Sequence, residues 1–211
     1  MRITVFLGAP GSGKGTQAKR LAETGQFQHF STGDMLRGAI TRKEPVGISA
    51  NQFISKGELV PDGVMIELIS EALVKVNSKS QVLLDGFPRT IPQSTALDSK
   101  PETRVKSAIF FDLPEKVLIE RLTGRRICKN CGEPFHVVFV SPKKEGVCDK
   151  CGGELLQRAD DQISVVKKRL EVFTGQNEKL LNYYDSAKRL TRLDGNQAVD
   201  RIQDQLRRLL Q

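Results

Sequence analysis

An α/β fold, a parallel sheet wrapped by helices, is predicted for this 211-residue chain by three features. Short apolar runs alternate with amphipathic helical patterns, the first of those runs ends in a glycine-rich turn that opens a helix, and no apolar run nears the roughly 20 residues of a membrane span. Five strands are expected, over residues 3–7, 27–30, 82–84, 108–111 and 190–193. The pattern from Thr16 to Ala22 reads as the first helix. Pro61-Asp62 opens a helix carrying Val64, Ile66, Leu68, Ile69 and Leu73, and Pro114 opens another carrying Val117, Leu118, Ile119 and Leu122. Residues 160–188 read as a long helix capped by Asp160 or Asp161, with Ile163, Val166, Leu170 and Phe173 on one face and a point of interruption at Gly175.

Two stretches break the alternation. Residues 31–60 hold two short helical patterns, over 35–40 and 48–54, with no strand between them, and residues 124–161 carry all four cysteines and a β-like run over 135–140. Both are expected as insertions above the C-terminal edge of the sheet, where open α/β folds bind ligands. The core is then 1–30, 61–123 and 162–211.

Composition narrows the partners. The 33 Lys and Arg against 25 Asp and Glu leave a charge of +8, but the basic residues are scattered and aromatics make up only 6%, with no Trp. That pattern fits small polyanionic substrates better than a base-stacking nucleic-acid surface. The opening strand runs straight into glycines, too brief a run for a signal peptide, and the expected location is cytoplasmic.

Gly8-Ala9-Pro10-Gly11-Ser12-Gly13-Lys14-Gly15-Thr16 is the most informative segment. A strand, a glycine-rich turn and a helix N-terminus converge there, so backbone N–H groups point at one place where a phosphate can sit. Lys14 can reach the β and γ phosphates of a nucleotide as a mobile charge. In the usual P-loop a hydroxyl residue follows the lysine directly; here Gly15 intervenes and the hydroxyl comes at Thr16. Asp85, at the end of the run Val82-Leu83-Leu84, is placed to help hold Mg²⁺ beside those phosphates, directly or through water; capping the next turn is its alternative use.

Cys128-Lys129-Asn130-Cys131 and Cys148-Asp149-Lys150-Cys151 form two C-x-x-C knuckles at the spacing of a tetrahedral metal site. Four thiolates leave no open position, so a structural zinc is expected, with iron as the main rival and disulfides or a redox pair as the alternatives. His136 is expected to be an ordinary residue of the lobe. In a segment this small, metal binding is expected to contribute much of the folding free energy.

Three further segments set basic residues beside turns: Ser31-Thr32-Gly33-Asp34-Met35-Leu36-Arg37, Asp85-Gly86-Phe87-Pro88-Arg89-Thr90 and Gly124-Arg125-Arg126. Taken with the glycine-rich turn and the later Gln157-Arg158-Ala159-Asp160-Asp161, they closely resemble the adenylate kinase family over essentially the whole chain. The resemblance implies a P-loop NTPase fold and reversible transfer of the γ-phosphoryl group from Mg-ATP to AMP, giving two ADP. Residues 31–60 would be the AMP-binding lobe and 124–161 a cysteine-bearing lid.

By the same resemblance Gly11, Ser12, Gly13, Lys14, Gly15 and Thr16 would hold the ATP phosphates, Arg125 would clamp ATP, and Pro134, Phe135 and Gln197 would border its adenosine. The AMP side would be Thr32, Arg37, the backbone of Glu58-Leu59-Val60, Gly86, Phe87, Pro88, Arg89 and Gln93, whose amide can pair with an adenine edge. Arg158 and Arg169 would complete a ring of cations around the transferred group. ATP, AMP and ADP are the expected partners, with no nucleic acid or membrane, and the chain is expected to be a monomer. A kinase for another nucleoside monophosphate, or a zinc-ribbon nucleic-acid binder switched by ATP, are the rival readings.

Overall fold

The computed structural model describes residues 1–210. In chain order the elements are β1 (Arg2–Leu7), α1 (Lys14–Ala22), β2 (Phe27–Ser31), α2 (Thr32–Thr41), α3 (Pro45–Ile54), α4 (Asp62–Val74), β3 (Gln81–Asp85), α5 (Ile91–Asp98), β4 (Val105–Asp112), α6 (Glu115–Thr123), β5 (Arg125–Cys128), β6 (Pro134–His136), β7 (Leu155–Leu156), α7 (Ile163–Ser186), β8 (Leu190–Asp194) and α8 (Val199–Leu210). Five strands form one sheet in the order β2-β3-β1-β4-β8, every pair parallel. This is the five-stranded α/β arrangement that the alternation of apolar runs predicts.

Period-two alternation along β1 feeds two cores. Ile3, Val5 and Leu7 face one side, with Leu84 of β3, Ile69 and Leu73 of α4, and Tyr184 of α7. Phe6 faces the other, with Leu83, Ile109, Phe111 and the apolar faces of α1 and α8. Strands buried on both faces explain why they read as unbroken apolar runs. All carry their C-terminal ends to one edge, where Leu7 leads into the glycine-rich turn, Ser31 into α2 and Asp85 into the turn before Arg89.

Residues 31–60 carry α2 and α3 with no strand after Ser31, as expected. Residues 124–161 hold a separate antiparallel sheet, β6-β5-β7, over a core of only Cys128, Phe135, Cys148 and Leu155. The β-like run expected over 135–140 is mostly turn: the strand ends at His136, and Val137, Val138 and Phe139 wind around its ring, whose Nδ1 accepts from the N–H groups of Val138 (3.0 Å) and Phe139 (3.1 Å).

α7 also corrects the sequence reading. It runs unbroken through Gly175, since a helix packed through Val166, Leu170 and Leu181 outweighs the about 1 kcal/mol that one glycine costs. Its N-cap is Gln162; Asp160 and Asp161 sit in a 3₁₀ turn before it, their carboxylates turned to arginines instead of the helix. Ile163 is 48% exposed, off the buried face on which it was expected. Two helices, α5 and α8, fill the remaining connections; α5 is capped by Thr90, whose Oγ1 accepts from the Gln93 N–H.

Candidate active site

Gly13, with φ of 92°, occupies the left-handed region at the N-cap of α1, which a side chain would strain. No side chain caps α1, so its first N–H groups have no intrahelical partner and are available to a phosphate. Lys14 lies folded over that loop, its ammonium donating to the carbonyl oxygens of Gly8 (2.7 Å) and Ala9 (2.8 Å) and to Ser12 Oγ (3.1 Å). Burial lowers its pKa to about 8, against the opposing pull of Asp85. A Cβ on Gly15 would come within 3.0 Å of Asp85 Oδ2, so the glycine that displaces the usual hydroxyl residue is the one that lets this carboxylate close on the loop.

Four arginines from different elements converge on the space above this edge, each steered by a carboxylate. Arg37 Nη2 donates to Asp34 Oδ1 at 2.6 Å, one turn back on α2, and Arg158 Nη2 lies 3.8 Å from the same oxygen. Arg125 grips Asp161 with both Nε (2.8 Å) and Nη2, and Arg169 Nη1 reaches the Asp160 carboxylate at 3.0 Å and Asp161 at 3.2 Å. A fifth, Arg89, has no such partner: its Nε donates only to the Gly86 carbonyl, at 2.8 Å.

Cations this close disfavour one another. Burial, then the neighbouring Arg169, lowers Arg89 to about 10, and burial, then Arg37, lowers Arg158 to about 10. The same charges act on the acids. Although burial pushes it up, Asp34 is held below the usual carboxylate range by Arg37, and Asp160 likewise by Arg169. The cleft is therefore an anion site whose charge is only partly balanced from within.

The other residues expected at the site divide into two groups. Thr32 Oγ1 donates to the Asp85 carbonyl at 3.3 Å beneath Gly86, and Thr16 lies in the first turn of α1. Glu58, Leu59 and Val60 line the loop between α3 and α4, and Gln197 follows β8, its Nε2 3.3 Å from Asp194. Phe87, Val60 and Phe135 are buried in cores, where their side chains pack; Phe135 serves the small core of residues 124–161, and Pro134 beside it in β6 pairs with Ile127 of β5. Gln93 is 2% exposed and its amide is already engaged, Oε1 accepting from the Arg89 N–H at 2.7 Å and Nε2 donating to Asp62 Oδ1 at 2.7 Å.

Sequence reasoning missed three kinds of participant. Asp34, Asp160 and Asp161 hold the arginines, a role signalled only by their closeness to those arginines in the motifs. Asp62 was read simply as a helix start. Arg121 of α6 leans toward the loop, where a Cβ on Gly13 would lie 3.9 Å from its Nη1, and donates to the Gly195 carbonyl at 3.2 Å; nothing in an amphipathic helix pattern marks it.

The four cysteine sulfurs all lie within 4.8 Å of one another, with Cys128 and Cys151 at 3.4 Å and Cys131 and Cys148 at 3.6 Å. The near contacts run between knuckles, and all four thiols are free. A tetrahedral ion with metal–sulfur bonds of about 2.3 Å needs sulfurs a little under 4 Å apart, so this set can hold a metal ion. The Cys131 N–H holds the Cys128 thiol down to about 6 against desolvation, with Asn130 adding to it. His136 stays outside, its Nε2 3.2 Å from the Glu120 carbonyl.

A phosphate loop with a lysine folded over it, an acid beside it, and arginines arriving from both insertions and from α7 define a P-loop phosphotransferase acting between nucleotides. The family model described as adenylate kinase matches residues 6–189. The chain is similar to the adenylate kinases of Geobacillus sp. (strain WCH70), 46% identical over 209 residues covering 98% of this chain and 97% of the relative, and of Clostridium tetani, 42% identical over 209 residues with the same coverage. It is 48% identical to that of Caldicellulosiruptor bescii over 187 residues, 87% of this chain and 86% of the relative. The chain belongs to the adenylate kinase family. It is a nucleoside monophosphate kinase, interconverting ATP + AMP and 2 ADP.

Proposed function

We propose that phosphoryl transfer takes place between the glycine-rich loop and the turn at Gly86–Arg89, with Lys14, Arg37, Arg89, Arg125, Arg158 and Arg169 neutralising the charge that spreads over the equatorial oxygens. The convergence of these cations from α1, α2, the β3 turn, the lid and α7 carries this reading. Gly11 through Thr16 hold the ATP phosphates, Arg125 clamps them from the lid, and Pro134, Phe135 and Gln197 border the adenosine. AMP lies against Thr32, Arg37, the backbone of Glu58-Leu59-Val60, Gly86 through Arg89, and Gln93. Its phosphate is already ionised, so alignment and charge stabilisation suffice and no general base is needed.

Mg²⁺ travels with ATP, and the carboxylate of Asp85 and the hydroxyl of Thr16 fit it by donor type and by their place beside the loop, directly or through water. Bound there, it would offset phosphate charge. The cysteine cluster takes zinc as a closed structural site, iron being the other metal that four thiolates accept. Residues 31–60 and 124–161 act as hinged lobes that exclude water, the competing acceptor, once both nucleotides are bound. Free thiols suit a reducing compartment, which supports a cytoplasmic location, and a monomer belongs to the same reading.

The test is nucleoside diphosphate formation from Mg-ATP with AMP, GMP, CMP or UMP against an ATP-only control. Rapid turnover with AMP alone is expected. Preference for another acceptor would overturn the assignment of the base pocket, and ATP loss without an acceptor would overturn the reading as a transferase.

A further inference from the structure

Gln93 sits in an arrangement that does more than cap a helix. It is the third residue of α5, and its backbone N–H is taken by the Thr90 hydroxyl, as in a capping box. Its side chain turns back past the N-cap to the Arg89 N–H, which binds Oε1 at 2.7 Å. On the other side Asp62, the first residue of α4, accepts from Gln93 Nε2 at 2.7 Å and from Thr90 Oγ1 at 2.9 Å through a single oxygen, Oδ1. A backbone N–H can only donate and a carboxylate can only accept, so together they permit one of the two flips of the amide and forbid the other.

Two of the amide's four hydrogen-bonding positions remain free, one N–H on Nε2 and one lone pair on Oε1. They leave one donor and one acceptor on a single planar group whose orientation is fixed. An adenine edge offers an acceptor at N1 and a donor at N6; a 6-oxopurine offers a donor at N1 and an acceptor at O6. The flip of one amide therefore decides which of the two edges it fits.

We propose that Asp62 is a specificity-determining, positioning residue: by fixing the flip of Gln93 it sets the AMP subsite for 6-aminopurines against 6-oxopurines. This rests on the reading of Gln93 as the group that meets the acceptor base. Asp62 touches no nucleotide; it acts through the amide, with Thr90 holding the carboxylate in place and α4 and α5 holding the two partners 31 residues apart in sequence at hydrogen-bond distance.

The experiment compares AMP with IMP, which differs from it only at the 6-position and N1, in the wild type and in Asp62→Ala, Asp62→Asn and Gln93→Ala, with KM for ATP and Tm measured alongside. Asp62→Ala is expected to lower the AMP over IMP ratio of kcat/KM about threefold to tenfold, the worth of one hydrogen bond, through KM for the monophosphate and with KM for ATP unchanged. Asp62→Asn keeps an acceptor oxygen and is expected to restore the ratio. A fall in Tm with the ratio intact in Asp62→Ala, or a loss that Asn fails to rescue, would overturn the role of Asp62. Should Gln93→Ala also leave the ratio intact, the base-reading role of Gln93 fails with it; should Gln93→Ala collapse the ratio while Asp62→Ala does not, only the inference about Asp62 fails.

Discussion

The cleft and the lid both gather like charges, and they resolve the problem in opposite ways. In the cleft the cations Lys14, Arg37, Arg125, Arg158 and Arg169 are offset by Asp34, Asp85, Asp160 and Asp161 of the same chain, and the sheet beneath has two full hydrophobic cores. In the lid, four thiols meet over a core of four residues, and binding as thiolates would require a positive charge that the cluster itself lacks. The first region can stand ready without its ligands. The second, on the proposed reading, is completed by an ion from outside. The difference shows that a site for a transient anion is built incomplete on purpose, whereas a site for a resident cation is completed by the cation.

The largest effect should come from the arginine that no carboxylate grips directly. Arg89→Ala is expected to lower kcat at saturating nucleotides by about 10³-fold or more, the scale of a transition-state arginine, with the Tm little changed. Arg125→Lys keeps the charge but loses the fork that grips Asp161, and a loss of about 10²-fold is expected. Near wild-type turnover in either variant would remove that residue from the machinery.

Next in size is a pH effect. Lys14 has a pKa of about 8 in the ligand-free fold, below the unfolded value of 10.5. The lysine thus weakens the fold while protonated, and that cost is relieved as pH rises from about 8 toward 10.5. Phosphates favour the protonated form, so ATP binding at about pH 9 should take up a large part of one proton, against almost none near pH 7, and kcat/KM for ATP should decline above pH 8 or so. Calorimetry in buffers of different ionisation enthalpy measures the uptake. The acids behave oppositely: Asp34 and Asp160 have folded values below their unfolded ones, so their contribution is present above about pH 4 and is lost as the pH falls through the lower folded values. A Tm that stays flat on acidification below pH 4 would contradict this.

The smallest effect lies where the two regions touch. Lys19 of α1 reaches Glu133 of the lid at 2.9 Å, with Lys150 3.4 Å from the same oxygen. All three are solvent-accessible, so Glu133→Gln should cost the lid less than about 1 kcal/mol, and the cost should vanish in about 1 M salt. A larger, salt-independent loss would mean that Glu133 does more than form this exposed pair.

Much of this was legible in the sequence because local rules coincide there with chemistry. The glycine-rich turn, the two knuckles and the five apolar strands each carry their own spacing, and spacing survives without coordinates. What was not legible depends on distant pairing. Asp161 reads as a helix cap until Arg125, 36 residues away, takes its carboxylate. Gln93 reads as a free amide until Asp62 and the Arg89 N–H take one hydrogen-bonding position on each end and fix its flip. That Phe135 also makes up one quarter of the small core with Cys128, Cys148 and Leu155 depends on residues up to 20 positions away and is likewise not legible in its motif.

Hydrogen exchange, followed peptide by peptide in the metal-loaded and metal-stripped protein, tests the contrast most directly. Stripping should release protection across residues 124–161 while peptides covering β1, β3 and β4 keep theirs. A uniform loss across the chain, or a lid that stays protected without its metal, would contradict it.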